Sequence, residues 1–292
     1  MIRIAAECAN TLGEAAAWDA REGRLLWLDL VEPALFGYAP ATKAASRLAL
    51  DAPTPLGPVI PTGRPGTLLL AHPAGLSLLD ARTGGLTPFV APEQGRAGLL
   101  YNDGKVDRWG RLWIGTSDAA EAEPRGVLWC LAPGAAPVMA DAGFVVSNGP
   151  AFSPDGRTLY FSDSIGRRIL AYDIAPDSPK PTGRRVFASF AMDEGLPDGL
   201  AVDAEGGVWV AHWDGWRITR FSPEGERLRV ILLPVPRVTS LAFGDPGLAT
   251  LYVTTARLDL SPVMLAAAPL SGHLFAIDAG VEGLEDRPFP LD

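Results

Sequence analysis

Ser147-Asn-Gly-Pro-Ala-Phe-Ser-Pro-Asp-Gly-Arg-Thr-Leu-Tyr-Phe-Ser-Asp163 is the stretch on which the reading of this chain turns. Asn148 stands at the mouth of a short apolar strand, a Pro-Asp-Gly turn follows at 154–156, and a second strand, Thr158 to Ser162, runs into a carboxylate. Pro presets φ, Asp hydrogen-bonds its own backbone and Gly accepts a positive φ, so the tripeptide is a turn with a mechanism. With glycine as anchor, the layout recurs at Gly23 (Gly-Arg-Leu-Leu-Trp-Leu-Asp29), Gly66 (Gly-Thr-Leu-Leu-Leu-Ala-His72) and Gly110 (Gly-Arg-Leu-Trp-Ile-Gly-Thr116). It recurs again at Gly206 (Gly-Gly-Val-Trp-Val-Ala-His212) and Gly247 (Gly-Leu-Ala-Thr-Leu-Tyr-Val-Thr-Thr255).

Successive anchors lie 41 to 50 residues apart, the period that a propeller blade of four strands requires. A second half-repeat follows each anchor, as in Ile169-Leu-Ala-Tyr-Asp173 and Ile218-Thr-Arg-Phe-Ser222. Each is an apolar run of strand length that ends in a turn residue. The expected fold is all-β: a six-bladed β-propeller of four-stranded blades, one domain over residues 1–292, with blades near 12–55, 56–98, 99–145, 146–195, 196–236 and 237–278. Ile2 to Glu7 has no repeat of its own and is predicted to pair beside Leu274 to Ile277, closing the ring without leaving free edges. Pro262 to Ala268, rich in alanine, reads as a turn or two of surface helix.

Composition narrows the function classes. With 25 basic and 34 acidic residues the formal net charge is −9, which disfavours nucleic acid or an anionic membrane as a partner. Hydrophobic residues make up 48%, enough for a core, yet no run is long enough to span a bilayer. Cys8 and Cys130 are the only cysteines; two so far apart make no disulfide framework, and with no secretory leader visible the expectation is a cytoplasmic protein, monomeric or weakly oligomeric.

Register converts the polar residues into a location. Glu14 lies nine residues before its anchor, Asn102 and Asp103 eight and seven, Asn148 eight and Asp198 eight. All enter the innermost strands of their blades, so four blades deliver oxygen-bearing side chains to one mouth of the central channel. Blades two and six place Pro58 and Thr239 there instead. The returning strands end in Asp29, His72, Thr116, Asp163, His212 and Thr255, an outer ring expected to orient the inner one through hydrogen bonds. Converging carboxylates repel unless a cation lies between them. A donor set made only of oxygen favours a hard divalent ion, calcium, magnesium or manganese, with zinc or iron as further options.

Taken singly, Asn-Gly at 148–149 and Asp-Gly at 103–104 and 198–199 are equally good turn dipeptides; equivalent register in separate blades is what turn preference does not require. His72, His212 and His273 share no motif, with His212 the candidate for lining the pocket. Trp27, Trp113 and Trp209 fall on the same strand of three blades and read as core. Ser147 and Ser164 have no neighbouring base in a nucleophile elbow, and no phosphate-cradling glycine motif is present.

Leu12-Gly-Glu14 with Trp18, Asn102-Asp-Gly-Lys-Val-Asp107 followed by Gly110-Arg-Leu-Trp-Ile-Gly-Thr116, Ser147-Asn-Gly149 with Ser153-Pro-Asp-Gly156, and Pro197-Asp-Gly-Leu200 together resemble the SMP-30/gluconolactonase/LRE family, over nearly the whole chain. The resemblance implies one catalytic divalent ion, calcium first, held by Glu14, Asn148 and Asp198, with Asp198 also the general base and Asn102 or Asp103 touching substrate. It implies a hydrolase acting on a small sugar-acid lactone. A metal-dependent esterase or phosphotriesterase on a less polar substrate, and a calcium-binding propeller without catalysis, are the alternatives. The chain departs from the family pattern at Leu100, where relatives that hydrolyse aldonolactones carry Arg, and at Ala119 and Ala120, where an acidic residue is common, with Asp118 and Glu121 nearby. Losing the Arg removes a donor fork for substrate hydroxyls. Asp163, His212 and Leu100 are the further candidates for the pocket or the shell behind it.

Overall fold

The structure, a computed structural model, describes residues 1–291. Six antiparallel sheets of four strands each follow one another around a ring. In the first five blades the strands run outward from the channel in chain order; blade 1 is Gly13–Asp19, Arg24–Asp29, Ala34–Ala39 and Ala44–Ala49. Blade 6 is made of Val238–Gly244, Thr250–Thr255 and Leu274–Asp278, and its outermost strand is Ile2–Ala6. Ile2 pairs with Ile277 and Ile4 with Phe275, as expected. The two ends of the chain thus share one sheet, so the ring cannot open without breaking a ladder.

Burial explains why the strands run apolar rather than alternating. In blade 1 the second strand is buried on both faces while Ala44–Ala49 is largely exposed, and blade 5 repeats the contrast with its outer strand Arg227–Leu232. Inner strands pack against the neighbouring blades on both sides, so each position needs an apolar side chain. All six anchor glycines take a positive φ, between 60° and 85°, a region that L side chains avoid. The Pro262–Ala267 helix is present, capped by the Ser261 hydroxyl accepting from the Met264 N–H at 3.2 Å.

Trp27, Trp113 and Trp209 are fully buried, and each indole N–H has an acceptor. Trp27 donates to Asn10 Oδ1 at 2.9 Å, Trp113 to Asp107 Oδ2 at 2.8 Å and Trp209 to Asp203 Oδ2 at 2.7 Å. Asp203 also accepts from Arg220 Nε at 2.8 Å and from the backbone N–H of Gly207 at 2.8 Å. Replacing Asp203 with Ala strands an indole and a guanidinium together, and is expected to cost about 3–5 kcal/mol of stability. Urea unfolding measures it; a midpoint no lower than that of an exposed-surface variant would remove Asp203 from this role.

Residues 279–291 were not legible as part of the ring, and the structure lays them across the channel end opposite the strand entries. Asp203 bridges to Gly283 and Thr62 to Phe289, while Lys105 Nζ meets Asp286 Oδ1 at 3.3 Å. These are contacts to the closing residues of the innermost strands in blades 5, 2 and 3. No helix among the described residues is long and apolar enough to cross a membrane.

Candidate active site at the channel mouth

Five of the six innermost strands lose register at the residues singled out above. The pairing shifts between Glu14 and Ala17, between Tyr101 and Gly104, between Asn148 and Ala151, between Pro197 and Leu200, and between Val238 and Leu241. A regular strand would turn alternate side chains into the gaps between blades. An extra residue in the strand kinks it and re-aims the side chain, here toward the axis. The Asn-Gly and Asp-Gly dipeptides therefore mark bulges and not hairpins. Gly199 shows why glycine follows: a Cβ there would lie 2.9 Å from the carbonyl oxygen of Thr239 on the next blade.

Glu14, Asn102, Asn148 and Asp198, from blades 1, 3, 4 and 5, line one cavity of about 310 Å³ at the mouth. That is room for roughly ten waters. Asn102 Nδ2 donates to Asn148 Oδ1 at 2.8 Å and to the carbonyl of Ser147 at 2.7 Å. Asn148 Nδ2 donates to Ser164 Oγ at 3.1 Å, and Ser164 in turn donates to the carbonyl of Pro197 at 2.7 Å. The amide nitrogen of Asn148 is thereby committed, and its oxygen is the atom left for Asn102 and for a cation.

Asp103 lies deeper in the channel, where it accepts from the Gly104 N–H at 2.7 Å. Burial pushes the Glu14 carboxyl up to about 8, with the charge of Asp103 adding to the shift. Burial likewise lifts Asp103 to about 7, against the pull of Lys105. Asp198 is raised well above the usual carboxylate range by burial, then by the charges of Glu14 and Asp103. Two buried acids and a half-buried third held together in this way either keep protons or share a cation.

The donor set fits a hard divalent ion: two carboxylates and an amide oxygen, all oxygen, open to a cavity that can supply waters. Among the described residues no group of three or more His, Cys, Asp or Glu side chains is arranged to hold a metal, so an ion here needs the amide of Asn148 beside Glu14 and Asp198.

The outer ring does not do what its register suggested. Asp163 pairs with Arg168 Nε at 2.9 Å and accepts from the Gly166 N–H. His212 packs edge-on against Phe190, and its Nδ1 lies 2.7 Å from the carbonyl of Glu194. Burial pushes its ring down to about 4. Neither residue lines the cavity, and Leu100 does not either. Strand ends on the second ring face the gaps between blades, so their polar groups satisfy local loops. The orienting group is Ser164, one residue beyond Asp163. Sequence reasoning also passed over Trp213 and Arg237 as lining residues, though both stand on the cavity wall; a cation-stacking pair separated by 24 residues leaves no local signal.

Residues 12–257 match the family described as SMP-30/Gluconolactonase/LRE-like region. A 6-deoxy-6-sulfogluconolactonase of Pseudomonas putida is 38% identical, over 96% of this chain and 95% of its own. Regucalcin of Xenopus laevis is 31% identical over 99% of both chains. The crystal structure of a regucalcin from Agrobacterium tumefaciens, described as a calcium-binding protein, superposes with a TM-score of 0.92 at 28% identity, covering 98% of this chain and 96% of that one. Sequence match, blade topology and full-length likeness agree: the chain belongs to the SMP-30/gluconolactonase/LRE-like family.

Proposed function

We propose that this protein is a divalent-metal-dependent lactonase, a hydrolase that opens the ring ester of a small sugar-acid lactone at the channel mouth. The observation that carries the reading is the convergence of Glu14, Asn102, Asn148 and Asp198 from four blades on one cavity. Kinship with a sulfogluconolactonase supports the ester chemistry, and kinship with calcium-binding regucalcins puts calcium first among the ions. Glu14, Asn148 and Asp198 would hold the ion. When bound, it supplies Lewis-acid polarisation of the ester carbonyl and offsets the two carboxylate charges.

The chain's own groups do the remainder. Asp198, destabilised as an anion by its burial, takes a proton from the attacking water as the oxygen bonds to the carbonyl carbon. It returns that proton to the ring oxygen as the carbon–oxygen bond breaks, giving the open hydroxy acid. Asn102, held by Ser147 and Asn148, positions the substrate ring, and Asp103 beneath it keeps the floor of the site polar. Aliphatic residues on the wall, Leu12, Leu30, Val146, Ile165 and Leu196 among them, favour a second reading, a less polar lactone or ester.

Hydrolysis measured across aldonolactones, hydrophobic lactones and phosphotriesters, with chelator and after readdition of calcium, manganese or zinc, separates the two. The expected result is aldonolactone turnover that the chelator abolishes and an ion restores. Turnover of hydrophobic esters alone favours the second reading. No turnover with any ion leaves a calcium-binding propeller without catalysis.

A further inference from the structure

Arg237 is the only basic residue on the cavity wall among the described residues, in the company of Glu14, Asp198, Glu121 and Asp259. It immediately precedes the innermost strand of blade 6. Its Nε donates to Asp214 Oδ1 at 2.9 Å, and one terminal nitrogen donates to the carbonyl of Leu258. The guanidinium carbon lies 4.5 Å from the centroid of the Trp213 ring, a stacked geometry that fixes the plane of the fork. The second terminal nitrogen has no protein acceptor among the described residues. Arg237 lines the cavity and its side chain is 14% exposed, whereas that of Asp214 is 52% exposed, so water largely satisfies the carboxylate.

Placement gives that donor a direction. Blades 3 and 6 stand opposite each other in the ring, so Asn102 and Arg237 bracket the proposed ion site from either side. A ligand whose ester rests by Asn148 and Asp198 extends toward one of them. With Leu100 off the wall, blade 3 offers an amide and no cation.

We propose that Arg237, backed by Trp213, is a specificity-determining residue that selects sugar-acid lactones carrying a second, anionic group at the end of the molecule remote from the ester. This rests on the lactonase reading. The shared chemistry is a tetrahedral or planar oxyanion, sulfonate, phosphate or carboxylate, gripped by a charge-assisted hydrogen bond. The bland role for Arg237 is to tie Asp214 to the loop at Leu258, and the two roles predict different outcomes.

The experiment compares kcat/KM for gluconolactone with that for its analogues bearing sulfonate, phosphate or carboxylate at the sixth carbon, using the ion-loaded full chain. Wild type is expected to prefer at least one anionic analogue by about tenfold or more, the value of one charge-assisted contact. Arg237→Gln is expected to erase the anionic-to-neutral ratio, chiefly through KM, and Arg237→Lys to restore part of it. Raising ionic strength should shrink the ratio in wild type and not in Arg237→Gln. Asp214→Asn, which lifts the competing charge and keeps the guanidinium, should enlarge it.

Which of the three analogues is preferred identifies the oxyanion. A wild type indifferent to the added charge, or an Arg237→Gln protein that loses neutral and anionic turnover alike, overturns the proposal. Failure of every lactone, neutral ones included, would instead strike the underlying lactonase reading.

Discussion

Asp198→Asn is expected to lower kcat/KM for lactone hydrolysis by about a thousandfold or more, with the protein still folded. The substitution keeps the shape and one oxygen, so a cation retains an amide contact in place of a carboxylate. It removes the atom that would accept the proton from water. Both losses fall on the same residue under the proposal. Stability should move the opposite way. Asp198 sits among Glu14 and Asp103, and its charge is disfavoured by burial and by both neighbours. The metal-free Asn variant should therefore melt at a higher temperature than metal-free wild type at pH 8, since the cost of burying an ionisable carboxyl is gone. Stopped assays on an aldonolactone, with thermal melts on the same preparations, give both numbers. Activity within tenfold of wild type would remove Asp198 as the base.

The second large effect is the pH dependence of ion uptake. Glu14, raised to about 8, and Asp103, raised to about 7, are mostly protonated in the metal-free protein at pH 6. An ion that binds Glu14 and Asp198 must displace protons, so affinity rises with pH by up to about tenfold per proton per unit. Between pH 6 and pH 8 the calcium affinity of wild type should climb by about a hundredfold, read by calorimetry with proton release followed in two buffers. The stability of the metal-free chain runs the other way. A carboxyl whose folded pKa lies above its unfolded value of 4.5 stabilises the fold fully below that value. The contribution is lost as pH rises toward 8, because the folded state holds the extra proton over that window. Metal-free melting temperatures should fall by roughly 5 °C or more from pH 5 to pH 8, and a saturating ion should flatten the curve. A flat metal-free curve would show that these acids are not held together as the structure has them.

Much of the fold is written locally in the sequence. Gly23, Gly66, Gly110, Gly156, Gly206 and Gly247 sit in turns that need a positive φ, a requirement met within four residues. Inner strands announce themselves as apolar runs because both their faces are covered. Count the anchors and the six blades follow, and the unmatched Ile2–Ala6 strand follows as the closing one. The gathering of Glu14, Asn102, Asn148 and Asp198 was also legible, since offsets of eight or nine residues from equivalent turns bring side chains to the same end of the axis.

What stayed hidden depends on which partner each side chain meets in space. The bulge at Asn148 changes which way the side chain faces, and nothing in Ser147-Asn-Gly-Pro150 separates that bulge from a hairpin turn. His212 shares the height of the mouth yet points between blades toward Phe190 and Glu194. Asp163 turns to Arg168, and the orienting task passes to Ser164. Arg237 reaches the wall because Trp213 and Leu258, 24 and 21 residues away in the chain, hold its plane and one nitrogen. The closing segment around Asp286 and Phe289 carries no repeat, and its path across the far end of the channel is set by Lys105 and Pro61. Turn chemistry and burial periodicity are local and leave a mark on neighbouring residues. The aim of a side chain is set by whichever blade packs beside it, and that neighbour is chosen by the closure of the ring.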